Sequence, residues 1–282
     1  MSKPDAAATG KTGQGARNFQ QRLVVALVLA PLALAIAYLG GAVWTALVSV
    51  VAIGLYVEWL MVIGEVRAIS VTVSGALALA ISGVCLGFGL MDFAIVALGL
   101  GLVTTVVLAS GHRSWAAAGF VYTAAAELCS VLVRADPDHG WFALVLVLLV
   151  VWASDIGGYA AGRGIGGPKL WPRVSPNKTW AGAIGGFLGS LVVSAGWAAA
   201  GAGKIVPLIL VGAVLSIASQ LGDLFESAVK RHFGVKDSSH IIPGHGGLLD
   251  RLDGYVAAIV LAAIFGLVRG GLDGVGRSLM VW

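Results

Sequence analysis

The chain has 282 residues, of which 58% are hydrophobic and only 11% are charged, and its formal net charge is +4. A soluble domain carries roughly 25% charged residues, so this composition excludes a water-soluble globular protein and predicts an integral membrane protein. The two cysteines, Cys85 and Cys129, lie inside apolar stretches and give no information on the redox compartment.

Apolar stretches near the ~20 residues that cross a bilayer recur along the chain. They predict an all-α polytopic integral membrane protein with about nine transmembrane helices and a cytoplasmic N-terminus. Residues 1–22 form a polar tail that we expect to be disordered. Residues 23–140 hold about five spans, and residues 141–282 form a catalytic region of about four spans with two polar loops. The predicted spans are 23–39, 43–63, 69–90, 93–110, 115–133, 141–161, 179–200, 205–225 and 254–269.

The lysines and arginines predict the orientation of these spans. With the N-terminus inside, 14 of the 18 basic residues fall on the cytoplasmic side, as the positive-inside rule requires. The two long polar loops, residues 162–178 and 227–253, are separated by two spans and therefore share that side. The four basic residues outside are Arg134, Lys204, Arg269 and Arg277.

Acidic side chains in or beside a span are costly and usually mark a site. For Glu58 and Glu127 we favour a structural role, with the carboxyl group hydrogen-bonded between helices or placed near an interface. Asp155 lies toward the end of the sixth span and either joins a polar site or caps the helix. The remaining acids, which cluster with Asp155 around the long loops, are Asp223, Glu226, Asp250 and Asp253.

The stretch LGDLFESAVKR, residues 221–231, is predicted to continue the eighth span as a helix. Asp223, Glu226, Ser227 and Lys230 then share one helix face. Carboxylates beside an ammonium group could hold Mg²⁺ and a phosphate together, because Mg²⁺ prefers a few carboxylates plus phosphate oxygens and water. The alternative is a solvated helix end with a Glu226–Lys230 pair.

The second loop ends in a glycine-rich turn followed by two aspartates. Gly246 and Gly247 allow the backbone to approach a ligand closely, and successive amides there could bind an anion. We expect His245 to contact phosphate or base. Asp250 and Asp253, which flank Arg251, share a face at the start of the last span, where acids also suit the helix dipole.

The first loop supplies complementary groups. Ser175, Lys178 and Thr179 lead directly into the seventh span, and a helix N-terminus is the expected place for phosphate. Alternatively, Lys178 is only a positive-inside anchor. Together the two loops indicate phosphoryl or nucleotidyl transfer onto a lipid at the inner membrane face. This reasoning does not choose the nucleotide or the lipid.

Several motifs resemble those of the phosphatidate cytidylyltransferases (CDP-diacylglycerol synthases). The resemblance covers about residues 141–268, and the first five spans match only in character. This chain has Asn177 and Ala181 where that family often has a lysine and a glutamate, so the resemblance assigns no carboxylate at position 181. The segments that carry it are SAVKR (227–231), KD (236–237), PGHGGLLDRLD (243–253), SQLGD (219–223), SPNKT (175–179) and DIGGY (155–159).

The resemblance implies that CTP and phosphatidic acid give CDP-diacylglycerol and pyrophosphate, with Mg²⁺ required and room for a second cation. It implies a homodimer in the inner (plasma) membrane with the site facing the cytoplasm, and no nucleic-acid partner. The metal ligands would be Asp223 and Asp250, to which we add Asp253. The catalytic residues would be Asp223, Lys230, Asp250 and Lys178. Substrate would be bound by Ser175, Thr179, Ser227, Arg231, His245, Gly246, Gly247, Arg251 and Asp155.

Two other functions compete with this one. A CTP-dependent kinase of polyprenols or related lipid alcohols would use similar nucleotide contacts, but it would need a base for its alcohol. A secondary transporter would place its charges near the bilayer midplane at broken helices. In this chain the informative charges gather at one face.

Overall fold

The structure is a computed structural model that describes residues 30–239 and 246–282. A π-helical turn (Ala198–Ala202) follows the seventh helix, and a 3-10 turn (Leu272–Gly274) precedes the last. The helices and strands are α1 (Ala30–Leu39), α2 (Gly41–Val62), α3 (Ile69–Gly87), α4 (Met91–Leu108), α5 (Arg113–Ala135), α6 (Gly140–Gly164), β1 (Lys169–Trp171), β2 (Ser175–Thr179), α7 (Trp180–Trp197), α8 (Ile205–His232), α9 (Leu249–Gly270) and α10 (Val275–Met280).

Eight helices in the described residues are long and apolar enough to cross a membrane. They are α2 to α9, and each corresponds to one of the predicted spans, which confirms the polytopic helical fold. The first predicted span, residues 23–39, is described only from Ala30 onward, where it is helical. The polar tail, residues 1–22, lies outside the described residues.

The chain reverses direction at each connection between these helices. Lys178, at the end of the first long loop, contacts Asp223 near the end of α8. The α6–α7 and α8–α9 connections therefore lie at the same end of the bundle, as predicted. We call this the loop end. Because α2 and α4 also finish there, the short α2–α3 and α4–α5 connections share it.

The first long loop forms a small β-hairpin. The all-α prediction contained no strands. β1 and β2 pair antiparallel, with Lys169 opposite Thr179 and Trp171 opposite Ser175. The Trp180 amide donates to the Pro168 carbonyl over 3.1 Å and closes the hairpin. The Thr179 hydroxyl accepts the Gly182 amide at 3.1 Å and caps α7. The pairing satisfies backbone groups that an open loop would leave to water.

Helices α6 and α7 pack closely against each other through glycines. A Cβ atom on Gly157 would lie 2.7 Å from the Gly185 carbonyl oxygen, and one on Gly186 would lie 2.5 Å from that of Ser154. No side chain fits at these positions without moving a backbone. Small residues commonly permit such close packing between membrane helices. The backbones of α6 and α7 therefore form a wall of fixed spacing.

The least buried spanning helices are α4 and α7. Their large apolar side chains point outward rather than into the bundle, which suits contact with lipid tails. Exposed examples are Phe93, Leu100 and Val107 on α4 and Ile184, Leu188 and Val192 on α7.

Glu65 holds the α4–α5 connection against the α2–α3 connection. Its carboxylate is buried and accepts the Gly111 amide at 2.6 Å and the His112 amide at 2.7 Å. The Ser110 hydroxyl donates to it over 3.2 Å. The backbone N–H of His112 is the main reason that the pKa of Glu65 lies below its ordinary value of 4.5. This carboxylate satisfies amides that open α5 and have no helical partner.

Replacing Glu65 by glutamine is expected to destabilise the protein at pH 7 by about 1 to 3 kcal/mol, because a buried amide loses its acceptor. The lowered pKa means that the carboxylate stabilises fully above pH 4.5 and loses this effect as the pH falls through the folded-state pKa. Thermal unfolding in detergent should therefore show a gap between the variant and the unmodified protein at pH 7 that narrows below pH 4.5. A gap that does not change with pH would contradict the role of the charge.

Candidate active site

A cavity of about 620 Å³ opens at the loop end between α6, the hairpin, α7 and α8. The α6–α7 backbone wall forms one side of it through Gly158 and Gly182. Its polar lining consists of Ser154, Asp155, Tyr159, Arg163, Asn177, Lys178, Thr179, Gln220 and Asp223. The cavity therefore combines acids, cations and hydroxyl groups where the chain is otherwise apolar.

Lys178 and Asp223 form an ion pair across this cavity. The lysine Nζ contacts Asp223 Oδ2, which joins the hairpin to α8. Asp155 faces the same cavity from α6. It does not cap the helix, because α6 continues to Gly164. Of the two predicted alternatives for Asp155, the structure therefore favours the polar site. Arg251 on α9 and Lys178 both lie close enough to Asp155 to attract it electrostatically.

α8 is helical through residues 223–230, as predicted, and some of the polar side chains on that face are paired with other residues of the protein. Lys230 Nζ lies 2.6 Å from Glu226 Oε2 and 2.6 Å from Asp250 Oδ1. The Ser227 hydroxyl is 3.5 Å from Asp223 Oδ1, at the limit of a hydrogen bond. Glu226 is almost fully buried, and its Oε1 has no hydrogen-bond partner among the described residues. Lys230 therefore fastens the end of α8 to the start of α9.

Asp250 is the most heavily bonded of the predicted metal ligands. Besides Lys230, its Oδ2 accepts the Gly247 amide at 2.9 Å and both the amide and the hydroxyl of Ser238 at 3.1 Å. Gly246 has φ 81°, and a Cβ atom there would lie 2.9 Å from Asp250 Oδ2. These glycines therefore let the backbone approach the Asp250 carboxylate closely, and in this structure that carboxylate accepts the Gly247 amide. His245 lies outside the described residues.

Asp253 has different contacts from Asp250, although it lies only three residues later on the same helix. Its Oδ1 accepts the Gly254 amide at 2.7 Å. It is close enough to Asp223, Glu226 and Asp155 to be repelled by all three. The two aspartates of α9 thus have different neighbours: Asp250 pairs with Lys230 and the α8–α9 segment, whereas Asp253 lies near the acids of α6 and α8. Neither of them lines the cavity. Glu226 is repelled by both Asp223 and Asp250.

The donor atoms at the site fit Mg²⁺ bound together with a phosphate. Among residues 30–239 and 246–282, no three His, Cys, Asp or Glu side chains lie close enough to enclose a metal ion. Mg²⁺ does not need such a cage, since it usually takes one or two carboxylates and fills its other positions with phosphate and water oxygens. Asp223, Asp250 and Asp253 supply carboxylate oxygens only, which is the matching chemistry.

The other residues predicted to bind substrate differ in whether they line the cavity. Thr179 lines it, but its hydroxyl is occupied as the α7 cap. Ser175 lies in β2 outside the cavity lining. The Arg231 guanidinium donates to the Val235 carbonyl over 2.9 Å and is exposed, so the structure does not bring it into the cavity. Arg251 is also exposed, although it acts on Asp155.

The sequence interpretation missed two residues of this region. Gln220 lines the cavity, with its side-chain nitrogen donating to the Ala183 carbonyl over 3.2 Å. Glu58, assigned only a structural role between helices, contacts the segments on both sides of the α8–α9 loop. An acid within an apolar span was the available signal for Glu58. Glu127 has the structural role expected, since it is fully buried and accepts the Ser49 hydroxyl at 2.6 Å.

A polar cavity with paired acids and lysines at one end of a helical membrane bundle defines a class of protein, the polytopic membrane enzymes that act on phosphate groups. The chain belongs to the cytidylyltransferase family, whose model matches residues 20–268. It is a nucleotidyltransferase, and the resemblance seen in its motifs is confirmed.

Three relatives that are phosphatidate cytidylyltransferases show how similar this chain is to such proteins. A phosphatidate cytidylyltransferase of Brucella suis is 39% identical over 258 residues, which covers 89% of this chain and 94% of that protein. The phosphatidate cytidylyltransferase of Bacillus subtilis is 38% identical over 60% of this chain and 65% of its own length. The one from Haemophilus influenzae is 45% identical over 46% of this chain and 47% of its own length.

Proposed function

We propose that the protein transfers CMP from CTP to phosphatidic acid and releases pyrophosphate, forming CDP-diacylglycerol for phospholipid synthesis. The observation that carries this proposal is the Lys178–Asp223 pair inside a polar cavity at the loop end, in a chain related over most of its length to phosphatidate cytidylyltransferases. A cavity of about 620 Å³ is large enough for a nucleotide, because small-molecule sites typically measure about 300 to 1,000 Å³.

In this reaction a phosphate oxygen of phosphatidic acid attacks the α-phosphorus of CTP. A new P–O bond joins the lipid phosphate to CMP, and the bond to the β-phosphate breaks as pyrophosphate leaves. The lipid phosphate is already ionised, so no protein nucleophile or general base is needed. The protein therefore acts by positioning the two phosphates and by offsetting their charge.

The residues divide these tasks by their chemistry. Lys178, Lys230 and Arg251 offset phosphate charge, and Lys178 would exchange its contact with Asp223 for one with the triphosphate. Ser227 and the backbone of Gly246 and Gly247 position the phosphates, together with Ser175, Thr179 and His245. One or two of the carboxylates of Asp223, Asp250 and Asp253 would hold Mg²⁺ together with phosphate and water oxygens, and the ion when bound would supply positive charge beside the phosphates.

The same proposal includes the membrane in which the enzyme lies, its orientation there and its oligomeric state. We place the loop end at the cytoplasmic face of the inner membrane, where CTP reaches it from the cytosol and the lipid reaches it from the leaflet. The excess of basic residues at that face supports this orientation, with nine spans and an inside N-terminus. The family resemblance supports a homodimer. Accessibility of single cysteines introduced at positions 169 and 204 to a membrane-impermeant reagent would test the orientation.

The test of the activity uses purified full-length protein in liposomes with labelled CTP, with and without Mg²⁺. Label in a lipid-linked CMP that requires phosphatidic acid supports the proposal. Transfer of phosphate to a polyprenol would instead identify a lipid-alcohol kinase, and uptake of solute without turnover would identify a transporter. Either result, with no lipid-linked CMP, overturns the proposal.

A further inference from the structure

Glu58 lies far from the active-site motifs in sequence but against them in space. It belongs to α2 and is fully buried. Its Oε1 accepts the Ser239 hydroxyl at 2.6 Å and the Leu248 amide at 2.8 Å. Its Oε2 accepts the Leu249 amide at 2.7 Å and the Ser238 hydroxyl at 3.0 Å. Among the described residues, four donors thus reach this one carboxylate, all from the α8–α9 segment, and the Ser238 hydroxyl is shared with Asp250.

The four donors come from the two ends of one loop. Ser238 and Ser239 precede residues 240–245, and Leu248 and Leu249 follow them. Glu58 therefore joins the two ends of the loop across residues 240–245. Leu249 opens α9, so the carboxylate also satisfies a backbone amide that has no acceptor within the helix and lies favourably at the positive end of the helix dipole.

Ser238 connects Glu58 directly to Asp250. Its hydroxyl lies 3.0 Å from Glu58 Oε2 and 3.1 Å from Asp250 Oδ2, and its amide donates to Asp250 over 3.1 Å. Gly247 leaves room for this arrangement, because a Cβ atom there would lie 2.5 Å from Glu58 Oε2. The position of the Asp250 carboxylate therefore depends on a loop that Glu58 fixes.

We propose that Glu58 is a positioning residue for the transfer reaction: it fixes the α8–α9 segment so that Asp250 and the Gly246–Gly247 turn are held in place at the site. The inference rests on the proposed function. It assigns the first helices of the bundle a part in catalysis, because Glu58 on α2 is hydrogen-bonded to the same segment that surrounds the Asp250 carboxylate.

Replacing Glu58 by glutamine or by aspartate distinguishes the effect of its charge from the effect of its side-chain length. Glutamine has the same length, but its NH₂ group must face a donor, so one of the amides or hydroxyls loses its acceptor. Aspartate keeps both acceptor oxygens and the charge but is shorter by one methylene. Glu65 is the matched control, since it is also a buried carboxylate at the loop end that accepts two backbone amides, in a different connection.

The kinetic test compares full-length Glu58→Gln, Glu58→Asp and Glu65→Gln proteins in liposomes, with CTP and phosphatidic acid. A misplacement of about 1 Å lowers a rate about 10²-fold, so kcat of Glu58→Gln should fall by about that factor, while KM for CTP changes less than about threefold. Glu58→Asp should recover part of the loss. Glu65→Gln should stay within about threefold of the unmodified rate.

Hydrogen–deuterium exchange supplies a readout that does not depend on turnover. The amides of Leu248 and Leu249 should exchange faster in Glu58→Gln than in the unmodified protein, and those of Gly111 and His112 should not. Glu65→Gln should show the reverse pattern. If Glu58→Gln fails to fold, the same comparison is made with Glu58→Asp.

These readouts separate failure of this inference from failure of the proposed function. Unchanged kcat together with unchanged exchange at Leu248 and Leu249 overturns the inference. Faster exchange with unchanged kcat also overturns it, because the loop would then move without affecting the reaction. If the unmodified protein forms no lipid-linked CMP, the proposed function fails, and slowed turnover of whichever substrate it does use decides the role of Glu58.

Discussion

Asp250→Asn is expected to lower kcat by about 10³-fold while leaving the protein folded. The replacement has the same shape, but it removes the charge that pairs with Lys230. It also presents an NH₂ group either to that ammonium or to the Gly247 and Ser238 amides, which can only donate. The measurement is the rate of lipid-linked CMP formation at saturating CTP, with helix content checked by circular dichroism.

Asp92 provides the control for this variant. It is also an aspartate in the first turn of a spanning helix, but it is exposed and opens α4 at the end of the bundle opposite the loop end. Asp92→Asn should keep the unmodified rate within about threefold. A normal rate for Asp250→Asn would remove this residue from the proposed metal site. If both variants instead lost activity to the same extent, the cause would be a general effect of charge at helix N-termini.

Lys178→Gln is expected to lower kcat/KM for CTP by about 10²-fold. The variant loses the ion pair between Lys178 and Asp223. It therefore weakens the positive charge available to a triphosphate and leaves Asp223 near Asp155 and Asp253 without this lysine. Initial rates over a range of CTP concentrations would show the loss mainly as a raised KM if Lys178 binds the ground state, and as a lower kcat if it acts later.

Lys169 lies in the same hairpin and gives a matched comparison. It pairs with Thr179 through the backbone, but its side chain is exposed and does not line the cavity. Lys169→Gln should leave kcat/KM within about threefold. Equal losses in both variants would indicate that the hairpin acts through its overall charge, as a positive-inside anchor does, and not through the Lys178–Asp223 contact.

Sequence patterns predicted the fold well because membrane spans are long and apolar. The predicted starts at residues 69 and 205 agree with α3 and α8. The ends agree less well where polar residues continue a helix beyond the apolar part. The apolar part of the eighth span was predicted to end at residue 225, and the separate prediction that residues 221–231 continue it as a helix is confirmed, because α8 continues to His232. Hydropathy detects the membrane and not the helix, so a helix that leaves the apolar layer loses its signal.

The site was predicted in composition but not in detail. The convergence of both long loops followed from counting spans, and the contact between Lys178 and Asp223 confirms it. The different surroundings of Asp250 and Asp253 could not be predicted, since both share the same helix face by spacing. Lys230 and Ser238 bind the first, whereas the acids of α6 and α8 repel the second.

Glu58 shows a different limit of sequence reasoning. Its partners Ser238 and Leu249 lie 180 and 191 residues away. An acid in an apolar span indicates that some partner exists, but the packing of α2 against the start of α9 decides which. The hairpin is a similar case, because its register depends on the contact between residues on two short strands and not on a periodic pattern.

The pairing of lysines with carboxylates has a consequence for how the enzyme behaves between turnovers. Lys178 and Lys230 already form ion pairs with Asp223, Glu226 and Asp250 from within the fold. Structural integrity then does not depend on an external dication, unlike proteins that unfold when a structural metal is withdrawn. Treatment with EDTA should yield an intact, dormant enzyme whose melting temperature is unchanged and whose turnover returns when Mg²⁺ is restored.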